Sequence, residues 1–245
     1  MNARQGFIGQ SVERREDSRF LTGKGQYTDD ISLPGQTHAF FLRSPYAHAR
    51  ITSIDTSAAA KAPGVVGILT GDHFKAVGGL PCGWLINSLD GQPMKEPKHP
   101  VLADGKVRYV GDRVALVVAE TLDQAAAAAE LIEVDYEELT PVVDALTAPQ
   151  IASSVHDEAP DNRVYQWGIG DKDGTAAAMA TAAHVTTLTY RNNRLIPNAM
   201  EPRCANASYD VNADNYTLYV ANQNPHVERL LMCAFVLGIP EHKMR

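Results

Sequence analysis

The stretch from Arg113 to Glu137 leaves few ways to fold. Arg113-Val-Ala-Leu-Val-Val-Ala119 is apolar at every position after the first, the composition of a strand buried on both faces. Thr121-Leu-Asp-Gln124 then has the spacing of a capping box: the threonine hydroxyl accepts the N–H three residues on, and the glutamine side chain reaches back. The helix it opens is expected to run to Ile132, with Leu122, Ala125, Ala126 and Ala129 on one face. Residues 125–129 are five consecutive alanines, so this helix must lie close on a neighbouring sheet. Ile132-Glu-Val-Asp-Tyr-Glu137 alternates, placing Ile132, Val134 and Tyr136 inward and three acids outward on a solvated face. Strand, helix and strand in this order predict an α/β (α+β) fold, with a right-handed crossover if the two strands are parallel.

Upstream, residues 1–35 are polar and turn-rich and read as an entry segment laid along a surface. Thr37–Arg43, Ala49–Ile54 and Val65–Thr70 are expected strands, with a short helix over Thr56–Ala62 stopped by Pro63-Gly64. Residues 71–104 are rich in glycine, proline and isolated charges, an irregular excursion of the length that is often functional or partner-facing. Downstream, residues 147–175 shift to a linker-like composition. Gly168-Ile-Gly170 lacks the preceding strand and the third glycine of a dinucleotide fingerprint. Ala183–Arg191 alternates like a long strand, and Cys204–Tyr209 is another. Between them Glu201 and Arg203 stand beside two prolines, with an ion pair expected between them in a structural role.

The chain then turns a corner. Tyr216–Asn222 is rich in aromatic and β-branched residues and reads as a strand. Val227, Leu230, Leu231 and Ala234 have the spacing of one helix face, with Asn224 as N-cap, Pro225 at the first position and Gly238 as the stop. Gln223 is thereby pinned where a strand ends and a helix begins. Unpaired N–H groups at a helix start favour oxyanions and oxo groups, and a side-chain amide adds a neutral, directional donor. On spacing alone the simpler expectation is that Gln223 hydrogen-bonds the turn itself.

Composition excludes several classes. The chain has 245 residues and 44% hydrophobic content, enough for one large or two small cores. A formal charge of −7, without a basic run, argues against phosphate-backbone binding. No apolar run approaches the roughly 20 residues of a membrane span, and the polar N-terminus has no signal-peptide core. Cys82, Cys204 and Cys233 offer neither a disulfide framework nor a metal clip and fit a reducing cytoplasm. The eight histidines show no His-x-x-x-His pair.

Several motifs in order resemble one family. Arg15–Ile31, Ser44-Pro-Tyr-Ala-His-Ala-Arg50, Tyr109-Val-Gly-Asp-Arg-Val-Ala115, Tyr136-Glu-Glu-Leu-Thr-Pro141, Ile196–Arg203 and Asn222-Gln-Asn-Pro-His226 are similar to the large subunits of molybdenum hydroxylases. These are the xanthine dehydrogenase, aldehyde oxidoreductase and aerobic carbon monoxide dehydrogenase enzymes. The opening run is most like the bacterial branch with separate large, flavin and iron–sulfur subunits.

The resemblance implies residues 1–19 as an N-terminal extension and 20–148 as an α/β-hammerhead domain. It further implies 149–174 as a linker and 175–245 as the first, incomplete part of a molybdopterin-binding domain. Family members hydroxylate a carbon centre, or oxidise carbon monoxide, with oxygen from water. Their electrons pass to iron–sulfur clusters and FAD on partner subunits. The molybdenum is held by pterin sulfurs, the pterin being molybdopterin or its cytosine dinucleotide form. The family glutamine that hydrogen-bonds an oxo ligand of molybdenum falls on Gln223, and Asn224 adjoins it. The glycine-rich pterin contacts, the glutamate base and the loop that selects carbon monoxide, aldehyde or N-heterocycle have no counterpart in these residues. No catalytic residue is therefore expected here, and the 245-residue chain alone is predicted neither to hold cofactor nor to turn over substrate. A non-catalytic hammerhead module docking to partner subunits and a small anion-binding protein are the other expectations.

Overall fold

The computed structural model describes residues 8–193 and 195–245, so residues 1–7 of the expected N-terminal extension and Arg194 lie outside the described residues. A short helix α1 (Asp17–Leu21) is followed by strands β1 (His38–Arg43), β2 (Ala49–Asp55), β3 (Val65–Thr70), β4 (Lys106–Val107) and β5 (Arg113–Ala119). Helix α2 (Leu122–Ala129) leads to β6 (Glu133–Glu138). Helix α3 (Lys172–Thr181), the hairpin β7 (Ala205–Asp210) and β8 (Asn215–Val220), and helix α4 (Pro225–Leu230) complete the order, α4 passing directly into a π-helix over Leu231–Leu237.

The strands expected between residues 37 and 137 all form, but their pairing corrects the expected crossover. β5 lies at the centre of an antiparallel sheet β1-β5-β3, whereas β6 belongs to a second antiparallel sheet β4-β2-β6. Helix α2 thus connects two sheets. Phe40 and Ile68 both stand opposite Val117, and Ile54 stands opposite Val134. The capping box is present as read: Gln124 donates its N–H to the Thr121 hydroxyl at 3.2 Å, and Thr121 donates its N–H to Gln124 Oε1 at 3.0 Å. The inward face of α2 is Ala125, Ala128 and Ala129, while Leu122 is half exposed. Those alanines lie on Ala115, Val117 and Ala119 of β5, so the close approach that five alanines demand is made on the central strand. The opposite face of β5 is only partly covered at Leu116 and Val118. A second cluster gathers Ala49, Ala103, Val107 and Val114; Ile54 and Val134 touch both clusters and join the sheets. The helix expected over Thr56–Ala62 shortens to a 3₁₀ turn at Ala59–Lys61.

The segment expected as a linker is a strap tied to the hammerhead face. Lys106, almost wholly buried, donates to Asp157 at 2.8 Å, and Lys95 donates to Asp161 at 2.9 Å. Asn162 bonds the backbone of Ala148, Ser153 and Val155, while Gln166 pairs with Ser88 and Leu89 on the excursion. His48, buried, donates Nδ1–H to the Thr140 carbonyl at 2.9 Å, and its Nε2 has no partner among the described residues. Hydrogen bonds from Lys106 and from Lys95 hold the carboxyls of Asp157 and Asp161 below their ordinary value of 3.8. A depressed folded-state value contributes stability above the unfolded value and loses it as pH falls through the folded one. The strap should therefore stay closed down to about pH 4 and loosen below it. Hydrogen exchange over residues 153–166 at about pH 3, corrected for intrinsic rate, should exceed that at about pH 5; equal protection would contradict the pairing.

The long strand expected over Ala183–Arg191 does not form: the segment after α3 is exposed and takes no regular secondary structure. An alternating sequence becomes a strand only when another strand takes its backbone groups, and none does so among the described residues. Helix α3 itself, capped by Asp171 accepting the Gly174 N–H at 2.8 Å, occupies the expected end of the linker.

Candidate functional site

The corner at Gln223 forms as its residues dictate. Strand β8 ends at Val220, and Asn224 caps α4 by accepting the Val227 N–H at 3.5 Å, with Pro225 at the first helical position. Gly238 takes the left-handed conformation at φ +65°, and the Ile239 N–H closes back on the Cys233 carbonyl at 2.9 Å. The helix face does not match the expected one. Val227 and Leu230 are 44% and 41% exposed, whereas Cys233 is fully buried. From Leu231 onward the helix is π, and its wider i→i+5 repeat turns the later side chains away from α-helical register. Burial pushes the Cys233 thiol up, so it stays protonated as a small apolar group.

One pairing was not legible in the sequence. Arg245 N–H donates to the Tyr216 carbonyl at 2.9 Å, and Leu218 N–H donates to the Arg245 carbonyl at 2.8 Å. Residues 244–245 therefore run parallel to β8, joined to it through the helix as a βαβ arrangement. Gln223 lies just past the carboxyl end of β8, the position where open α/β sheets take ligands. Its side chain is exposed and its carboxamide enters no hydrogen bond among the described residues, the turn being served by Asn224. A hollow of about 240 Å³ flanks the β8 end on the side of Pro225, His226 and Arg229. Another, of about 430 Å³, lies between β8 and the entry residues Gln26–Ile31.

Glu201 lines that second hollow. The ion pair expected between Glu201 and Arg203 is absent from the ion pairs of the described residues. Glu201 instead accepts the backbone N–H of Thr28 at 3.0 Å, an unpaired donor at the start of a 3₁₀ turn, and Arg203 is exposed. Asn206 donates to the Ile31 carbonyl at 2.9 Å and to Gln36 at 3.0 Å. Burial, then the neighbouring Asp29 carboxylate, push the Cys204 thiol up, and it donates to Asp29 at 3.6 Å. The entry segment is thus stitched to β7 by residues some 170 positions away in sequence, which no local pattern could reveal. All three cysteines are free. Among the described residues no three His, Cys, Asp or Glu side chains group to hold a metal ion. No helix among them is long and apolar enough to cross a membrane.

Residues 22–140 match the family model described as aldehyde oxidase and xanthine dehydrogenase, a/b hammerhead domain, and residues 155–245 match the molybdopterin cofactor-binding domain. The chain belongs to the aldehyde oxidase and xanthine dehydrogenase family. It is a hammerhead domain followed by a molybdopterin cofactor-binding segment, as the ordered motifs led one to expect. Among relatives of this family, it is 38% identical to the carbon monoxide dehydrogenase large chain of Afipia carboxidovorans, over 97% of this chain and 30% of that one. It is 38% identical to the nicotine 6-hydroxylase large subunit of Paenarthrobacter nicotinovorans, over 96% of this chain and 28% of that one. Among solved structures, quinoline 2-oxidoreductase from Pseudomonas putida superimposes with a TM-score of 0.82 at 34% identity, covering 98% of this chain and 30% of that one. The chain thus spans under a third of the length of these relatives, two of which are themselves named as large subunits or chains.

Proposed function

We propose that this chain supplies the hammerhead domain and one molybdenum-facing contact of a molybdenum hydroxylase large subunit. The observation that carries the proposal is the exposed carboxamide of Gln223, without a hydrogen-bond partner among the described residues, beyond the carboxyl end of β8 and within the segment that matches a molybdopterin cofactor-binding domain. The donor set fits an oxo group better than a cation: a neutral amide beside a helix start, with no cluster of anionic ligands among the described residues. The pterin-held molybdenum, when bound, supplies the oxidation in which water provides the oxygen.

The chain's own residues have separate tasks in this proposal. Gln223 would donate its Nε2–H to an oxo ligand of the bound metal, Asn224 fixes the turn that presents it, and Glu201 holds the entry segment against the neighbouring hollow. In domain terms, residues 1–19 are an extension, 20–148 the hammerhead, 149–174 the connecting strap and 175–245 the cofactor-binding part. The remaining cofactor contacts come from the rest of a large subunit. Iron–sulfur and FAD subunits take the electrons in the cytoplasm, and the pterin is carried plain or as its cytosine dinucleotide.

Metal analysis tests the division of labour. The purified 245-residue chain should hold far less than one molybdenum per chain, and co-production with a polypeptide covering the rest of its relatives' length should raise that content. Stoichiometric molybdenum in the isolated chain would refute the proposal.

A further inference from the structure

We propose that Gly78 is the stop against which the helix running from Pro225 through Leu237 is seated, which makes it a positioning residue for Gln223. A methyl built on Gly78 would collide with the Phe235 carbonyl oxygen near the end of that helix. This carbonyl lies in the last turn, where helical C=O groups lose their intrahelical donors, so only an α-hydrogen can approach it this closely. Gly78 is itself held: Leu80 and His99 exchange backbone hydrogen bonds at 2.9 and 3.3 Å two residues on, and the Val77 N–H bonds the Phe74 carbonyl at 2.9 Å.

The helix is held along its length as well: Arg229 Nε donates to Glu241 at 3.3 Å, and Cys233, within the π segment, is fully buried. A hydrogen-bonded helix of this length is a rod of about 18 Å, so a push at Phe235 is carried to Gln223 at its far end. The excursion over residues 71–104, left without a role by its composition, thereby sets the axial position of the corner. The functional weight of this rests on Gln223 facing the cofactor.

Neighbouring glycines make the test clean. Gly78 and Gly83 lie on the same excursion and neither adopts the left-handed backbone, so alanine strains neither; a methyl at Gly83 meets open space. In Gly78→Ala the helix should shift by about an ångström to clear the carbonyl, because packed atoms tolerate no overlap. The side-chain ¹⁵N resonance of Gln223 should move with it, and amide exchange over 225–237 should quicken about tenfold or more. Gly83→Ala should leave both unchanged, and the core variant Val117→Ala should lower overall stability without moving the Gln223 resonance.

An unmoved Gln223 resonance in Gly78→Ala, with changes confined to residues 71–104, would overturn the proposal. So would loss of protection spread through β1–β6. Molybdenum enters neither readout, so a failure here and a failure of the cofactor assignment are separately visible.

Discussion

Gln223→Ala, placed in a complete molybdenum-loaded enzyme containing this chain, is expected to lower kcat by about 10²–10³ while leaving molybdenum content unchanged. The argument is one of charge. A neutral donor aimed at an oxygen that gains negative charge is worth more in the transition state than in the resting state, so its loss falls on kcat rather than on cofactor retention. Gln223→Glu should be at least as damaging, because an anionic acceptor then faces an oxygen that needs a donor. The two quantities to measure are turnover and metal per enzyme. Unaltered turnover in the alanine variant would remove Gln223 from the reaction, and loss of metal would make it a cofactor ligand instead.

Asp112→Ala should destabilise the hammerhead by about 2–3 kcal/mol in urea unfolding. Asp112 is buried, and its two carboxylate oxygens accept the backbone N–H groups of Arg108 at 3.1 Å and Arg113 at 3.0 Å. Its own carbonyl accepts the Ser44 N–H at 2.8 Å, and the Gly111 N–H returns to the Ser44 carbonyl at 2.8 Å. Removing the side chain leaves two partly buried donors unpaired at the entry to the central strand β5, where desolvation has already been incurred. Asp112→Asn keeps one acceptor oxygen and should lose roughly half as much. A change below about 0.5 kcal/mol in the alanine variant would show that water replaces the carboxylate.

These two residues also show what can be read from sequence. Gln223 was placed by signals within eight residues of it: a β-rich run, an N-cap, a proline at the first helical position. The capping box at Thr121 and the alternation through Val134 and Tyr136 are equally local, and both appear where they were expected. Asp112 lies within a recognisable motif and its carboxylate serves close neighbours, Arg108 and Arg113, whereas the pairing of its backbone with Ser44, far away in the chain, has no local signal. The assignment of β5 and β6 to different antiparallel sheets is a matter of partners, and periodicity does not name partners. For the same reason Ala183–Arg191 has the pattern of a strand without being one, and residues 147–175 have the composition of a linker while two lysines hold them down. The π-helix at Leu231–Leu237 escaped because apolar spacing assumes 3.6 residues per turn. Met244 and Arg245 are too few to show a strand pattern, although they supply the parallel neighbour that gives Gln223 its setting.

The hammerhead and the corner are also physically linked. Glu201, Cys204 and Asn206 grip the entry segment, while Gly78 meets the helix end, so the segment that carries Gln223 touches two separate parts of the hammerhead. The most direct check of the central claim is a crystal structure of the complete, molybdenum-loaded enzyme containing this chain. The account predicts the Gln223 Nε2 within hydrogen-bonding distance, about 2.7–3.2 Å, of an oxo ligand of the metal. A Gln223 carboxamide turned into its own strand–helix junction, with another group donating to that ligand, would contradict it.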